Sequence, residues 1–216
     1  MSLIFYYLSG SPFSWKVWLA LEHKQIPYTQ KILNAGGGDL STREFLAISP
    51  WGKAPAIVHG EFRLYESSTI IEYLEDAFPQ TKNSLRPKTI QDRATARRIA
   101  EEVSNYIYPP IRLMVEELML RKTGKPDERV VVNASELVVK NLRVIAQNTT
   151  GDFFFGDEPC AADFALYPLV AMMDRINARR PDLELTANVP EEITKWRTKI
   201  EALDYFEKTL PPHWKT

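Results

Sequence analysis

Over the first eighty residues apolar positions come in short runs, and over the rest they recur at intervals of three and four. Leu3 to Leu8 is continuously apolar, with Ile, Phe and two Tyr, and predicts a buried strand. Pro12 and Ser14 punctuate that run, after which Val17, Ala20 and Leu21 follow helical spacing until Pro27. Tyr28 to Leu33 predicts a second strand, and the stretch from Asn34 to Asp39 a loop, so the chain opens as a βαβ unit with a parallel pair. Ala54 to His59 and Phe62 to Tyr65 are strand-like runs separated by Gly60-Glu61, a hairpin signal. Ser67 or Ser68 is the expected cap of a helix whose Ile70, Tyr73, Leu74 and Phe78 share one face.

From Pro79 to Pro87 the chain turns polar and irregular, and after it strand signals stop. Residues 79–87 therefore read as a linker between an α/β domain at 1–78 and an all-helical domain at 88–216. Thr89 to Arg121 is a long helical stretch that Pro109-Pro110 should kink or break. Val130, Ala134, Leu137, Asn141, Leu142 and Ile145 repeat at three and four and mark an amphipathic helix from Asp127 to Asn148. Ala161 to Arg179 is apolar nearly all round, which predicts a central buried helix, and Glu191 to Leu210 predicts one last helix.

Composition narrows the partners. The chain has 216 residues, 44% hydrophobic and 25% charged, with a formal net charge of -1, enough for a sizeable core and without a basic footprint for nucleic acid or an anionic membrane. Cys160 is the single cysteine, which excludes an internal disulfide framework and a Cys-rich metal site and fits a reducing, cytoplasmic setting. The opening MSLIFYYLSG lacks the basic start of a signal peptide, and no apolar run is long enough to span a membrane. His23, His59 and His213 are scattered without ligand spacing, so no metal site is expected. The Gly36-Gly37-Gly38 run is followed by no Gly-Lys-Ser/Thr and reads as a connector, and no Gly-x-Ser-x-Gly elbow is present.

Three stretches carry candidate chemistry. In SPFSWKVWLAL, Ser11 stands where a strand gives way to a helix, as turn residue, helix cap or reactive-site donor. In WGKAPAIV, Pro55 opens a strand-like run; trans at an edge is the simpler local reading, whereas a cis bond would turn the backbone of Ala54 outward to pair with an extended ligand. Glu66-Ser67-Ser68 precedes a helix, where free N–H groups and a hydroxyl suit a carboxylate and Glu66 an ammonium, together the end of an amino acid. Cys160 sits at a helix start with Asp163 in the capping-box position; a lowered thiol pKa is conceivable there, but packing is the preferred reading.

The order β-α-β, β-β-α, linker, all-helical half, with SPF after the first strand, KAP before the third and ESS before the next helix, resembles the cytosolic glutathione transferase superfamily over essentially the whole chain. Ser-Pro-Phe is most similar to its tau class, while Ser-Trp-Lys-Val is similar to the zeta pattern. The resemblance implies a glutathione transferase fold with a thioredoxin-like first domain, and Ser11 as the hydroxyl that supports the glutathione thiolate for attack on a hydrophobic electrophile or a peroxide. Ser9, Ser14, Tyr6 and Tyr7 rank behind it. It further implies a glutathione site made of Phe13, Lys53, Ala54, a cis Pro55, Glu66 and Ser67; the basic residue the family carries in the loop after the second strand has no clear counterpart here, and Ser41 and Arg43 are left open. Asn105, Tyr108, Ile111, Arg112 and Val115 would face the second substrate between the domains, and Trp51 would insert into the partner of a homodimer. A glutathione-binding protein of little turnover is the rival reading; a thiol oxidoreductase would need cysteine at position 11, where serine stands.

Overall fold

β1 (Leu3–Tyr7) alternates full and partial burial, so Leu3, Phe5 and Tyr7 face the interior. β2 (Thr29–Ile32) pairs with it in parallel, β3 (Ala56–His59) antiparallel on its other side, and β4 (Phe62–Tyr65) closes the order β2-β1-β3-β4. The computed structural model describes residues 2–81 and 83–214. They divide into two compact units, residues 1–86 with 203–216, and residues 87–202.

In the first unit α1 (Pro12–His23) joins β1 to β2, and every residue from Ser14 to His23 is buried. A short helix, α2 (Arg43–Leu46), follows the glycine loop; it was not expected, although Thr42 caps it by accepting the Phe45 N–H at 3.2 Å. The hairpin turn is Gly60-Glu61 as read, with Gly60 at φ 63. α3 (Ser67–Ala77) starts one or two residues earlier than expected: its cap is Glu66, not Ser67 or Ser68, because Glu66 takes the left-handed φ of 70 and Ser67 is already helical.

The stretch after α3 is tied down. Lys24, with 1% of its side chain exposed, ion-pairs with Glu75 at 2.7 Å and donates to the Asn83 carbonyl at 3.3 Å. Glu75 also accepts from Ser84 and from the Leu85 N–H, and Arg86 reaches both Glu72 and Asp76 on α3. Burial pushes the Glu75 carboxyl up, but these hydrogen bonds outweigh it and hold the group below its ordinary value.

Residues 203–214 belong to this unit as well, whereas the sequence placed them in the helical half. The expected helix from Glu191 to Leu210 is two pieces: α8 (Glu191–Glu201), and a separate turn at Phe206–Thr209 that runs along α1. There Lys208 pairs with Glu22 at 2.7 Å, Trp15 Nε1 donates to Thr209 Oγ1 at 3.0 Å, and His23 Nδ1 lies 2.9 Å from the Tyr205 hydroxyl.

His23 is 2% exposed, and its pKa is pushed down to about 4, chiefly by burial. The unfolded chain then takes up a proton near 6.5 that the folded chain refuses until about 4. Stability from this group is complete above pH 6.5 and falls with decreasing pH through that window, by up to about 1.4 kcal/mol per pH unit. His23→Gln, which keeps a polar partner for Tyr205 without titrating, should flatten that slope in urea unfolding at pH 4.5, 5.5 and 7; an unchanged slope would show that other groups set it.

The second unit is helical. α4 (Ile90–Glu102) is capped by Thr89, passes through a π-helical turn at Val103–Ile107, and continues as α5 (Tyr108–Val115). The interruption expected at Pro109-Pro110 takes the form of that π turn, which ends just before the first turn of α5, where a missing N–H is tolerated. A second π turn, Glu116–Leu120, was not expected. α6 (Glu128–Ala146) is capped by Asp127, which accepts from the Arg129 and Val130 N–H groups. α7 (Ala161–Arg179) has the expected bounds and is buried from Ala162 to Met173. At its start the wholly buried Asp163 accepts from the N–H groups of Phe154 and Cys160 and from Trp196 Nε1 on α8, at 3.0, 2.8 and 2.7 Å. The Cys160 thiol is buried, and burial with the nearby Asp163 raises its pKa well above the ordinary value, so the lowered pKa weighed from the sequence is absent and packing is its role. Among the described residues no helix is long and apolar enough to cross a membrane.

Candidate functional site

One cross-strand row organises the candidate residues of the first unit. Tyr6 of β1 pairs with Ala56 of β3, and Ala56 with Tyr65 of β4. Ser11 follows the end of β1, Pro55 immediately precedes Ala56, and Glu66 immediately follows Tyr65, so all three segments leave the sheet at the same end. The N-termini of α1 and α3 lie beside each other there, since Lys16 Nζ donates to Ser68 Oγ at 3.0 Å. Two positive helix ends therefore converge with the largely buried Lys16 ammonium, an environment that favours negative charge.

Ser11 caps α1. Its Oγ accepts the Ser14 N–H at 3.4 Å, Ser14 Oγ accepts the Leu8 N–H at 3.2 Å, and the Ser11 N–H donates to the Leu8 carbonyl at 3.2 Å. This closed set fixes the turn. Because the Ser11 oxygen acts as acceptor in the cap, its own O–H remains a donor, and the residue is partly exposed. Cap and donor, the alternatives left open by the sequence, are compatible.

The Ala54–Pro55 bond is cis. Lys53, exposed, is presented by a turn held by the buried Ser49, whose Oγ donates to the Lys53 carbonyl at 2.8 Å and accepts its N–H at 3.3 Å. Gly52 in that turn has φ 58, and a Cβ there would come within 2.8 Å of the Leu40 carbonyl oxygen, so only glycine fits. Ser67 is buried at the first position of α3, and Glu66 is exposed. Phe13, in the first turn of α1, is partly exposed, with the Lys16 ammonium 5.8 Å from its ring centre.

The other sequence candidates separate from this group. Tyr7 donates its hydroxyl to Gln30 Oε1 at 3.1 Å, and burial raises its pKa. Ser14 is 1% exposed. Tyr6 packs on Phe45, with the Lys31 ammonium 5.8 Å from its ring centre. Ser9 lies 3.3 Å from His213 Nδ1. Ser41 and Arg43 are exposed. Asn105, Tyr108, Ile111, Arg112 and Val115 fall in the helical unit on the second half of the long stretch; Ile111 is buried, and Arg112 pairs with Glu116 at 2.7 Å. Trp51 is 73% exposed. Sequence reasoning missed the contacts of Ser49 with Lys53, of Lys16 with Ser68 and of His213 with Ser9, which hold the candidate residues; among these, only a buried polar residue at an apolar helical position, Lys16, left a signal in the pattern.

Comparison with known proteins agrees with this architecture. Residues 5–82 match the family model described as "Glutathione S-transferase, N-terminal domain". The chain is 33% identical to glutathione S-transferase 1 of Dianthus caryophyllus over 76% of its own length and 74% of that protein. It is 32% identical to a zeta-class glutathione S-transferase of Euphorbia esula, covering 92% and 85% of the two, and 28% identical to maleylacetoacetate isomerase of Mus musculus, covering 96% and 92%. In fold it is similar to poplar glutathione transferase F1, with TM-score 0.83 over 97% of each chain at 23% identity. The chain belongs to the cytosolic glutathione transferase superfamily, with a thioredoxin-like first unit and an all-helical second.

Proposed function

We propose that the protein activates glutathione as its thiolate, Ser11 donating a hydrogen bond to the sulfur, and directs it at an electrophilic carbon. The observation that carries this is the Ser11 cap: a partly exposed serine whose oxygen holds the helix while its proton stays available, beside two helix N-termini. The outward backbone of Ala54 pairs with the cysteinyl segment, Lys53 meets the glycyl carboxylate, Glu66 and Ser67 hold the γ-glutamyl end, and Phe13 borders the sulfur. The strained φ of 70 at Glu66 supports that assignment, since such conformations concentrate where a ligand is held.

A thiol near pKa 8.5 is mostly protonated at neutral pH, and a hydrogen bond to its charged form lowers that by roughly one to two units. The thiolate then attacks the electrophile, its sulfur electron pair forming the new C–S bond. The zeta-class and isomerase relatives favour a particular outcome, addition to a conjugated cis double bond. Addition sends the π electrons onto the neighbouring carbonyl, the former double bond rotates, and collapse of the enolate expels the same thiolate. Glutathione is then a co-substrate regenerated in each turnover. The second substrate meets Asn105, Tyr108, Ile111, Arg112 and Val115; the exposed Trp51 serves a homodimer, and the reduced, buried Cys160 suits a cytoplasmic location.

Ultraviolet thiolate absorbance of bound glutathione across pH tests the reading. A thiol titrating at least about one unit below free glutathione is expected; glutathione bound without a shift would leave only a binding protein.

A further inference from the structure

We infer that His213 is a positioning residue for thiol activation, acting through the Ser9–Gly10 turn that leads into Ser11; this rests on the function proposed for Ser11. The segment 203–214 runs antiparallel to α1 within the first unit. It is fastened at the far end of α1 by Tyr205 and Lys208, at the first turn by Thr209 and Trp214, both on Trp15, and just before the helix by His213 on Ser9. There Trp214 Nε1 donates to His213 Nε2 at 2.9 Å, and His213 Nδ1 lies 3.3 Å from Ser9 Oγ.

The indole N–H is a donor only, so Nε2 must carry the lone pair and Nδ1 the proton. His213 thus donates to Ser9, and the tautomer is set by Trp214. The imidazole also seats directly on Gly10: a Cβ built on that residue, at φ +80, would lie 2.9 Å from Nε2 and 3.0 Å from Cε1 of the ring. The glycine therefore admits both the left-handed turn and the ring above it. Ser11 is the next residue, and its hydroxyl must point at the sulfur within a few tenths of an ångström for the hydrogen bond to keep its strength. A ring clamped on the two preceding residues restricts that motion from outside the Leu8–Ser11–Ser14 set.

The test is the pKa of bound glutathione, read by thiolate absorbance in the full chain, for the parent, His213→Ala, Trp214→Phe, and His213→Ala combined with Ser11→Ala. His213→Ala should raise the bound thiol pKa by about half to one unit with little change in glutathione affinity, the size of one lost ordering hydrogen bond. Trp214→Phe, which keeps an aromatic ring against Trp15 but removes the N–H that fixes the tautomer, should move it the same way by less. In the Ser11→Ala background the His213 change should add nothing. A parent with a lowered thiol pKa that His213→Ala leaves unmoved overturns this inference alone, as does full additivity with Ser11→Ala. A parent with no lowered pKa overturns the function proposed for Ser11 and this inference with it. Thermal melting of each variant separates a positional effect from unfolding, since a loosened fold would lower affinity together with the pKa shift.

Discussion

Ser11→Ala is expected to lower kcat/KM about 10- to 100-fold at neutral pH, the cost of removing one hydrogen bond to a charged sulfur. Glutathione affinity should change little, because the peptide portion is held by Ala54, Glu66 and Ser67 in the proposed site. The pH signature is the sharper readout. Once pH exceeds the pKa of the unassisted thiol, near 8.5, the variant's thiol ionises by itself and the deficit should shrink. Losing the cap on α1 also costs about 1 kcal/mol of stability, so the comparison belongs well below the melting temperature. Ser11→Thr retains the hydroxyl and should recover part of the rate. An unchanged bound-thiol pKa in Ser11→Ala would move the role elsewhere. Ser14, buried and holding the Leu8 N–H, and Tyr7, committed to Gln30, are poorly placed to inherit it, which leaves Ser9 and Tyr6.

Asp163→Ala should destabilise the helical unit by about 3–5 kcal/mol in chemical unfolding, because it strands buried donors on three different segments. The Phe154 and Cys160 N–H groups and the Trp196 indole have no water to turn to at a site with no exposure. Asp163→Asn discriminates among them. Its remaining oxygen, at the Oδ1 position, can still accept from Phe154 and Trp196, but the amide placed at Oδ2 would point donors at the Cys160 N–H. An intermediate loss is therefore expected, and a loss equal to that of Ala would assign most of the effect to the capping bond of α7. Burial raises the Asp163 carboxyl above its ordinary range, which shows how much those donors must offset.

The elements legible in the sequence were those with an unbroken period. β1 and α7 read correctly because one is continuously apolar and the other apolar nearly all round, and the hairpin because Gly60-Glu61 separates two apolar runs. The break after α8 was hidden for the opposite reason. Ile193, Trp196, Ile200, Leu203 and Phe206 keep a helix-like spacing, and no Gly or Pro marks the point where the chain leaves one unit for the other. Glu66 as the cap of α3 was illegible because a left-handed φ at glutamate is imposed by its surroundings, not by its side chain. The candidate site itself was readable in the order of three short stretches, since each lies at the mouth of a regular element. Its supports were not: Ser9 and His213 are separated by almost the whole chain, and nothing local announces their meeting.

The return of residues 203–214 to the first unit has a consequence for synthesis. As the chain emerges from the ribosome, the sheet and α1 appear before the helical unit, but the side of α1 carrying Trp15, Glu22 and His23 waits for partners made after it. The first unit can collapse early yet finishes only after the intervening helical unit has been translated. That interval exposes an indole and a buried-to-be imidazole to chaperones and to aggregation, and it makes arrival of residues 203–214, rather than completion of the sheet, the step that finishes the first unit.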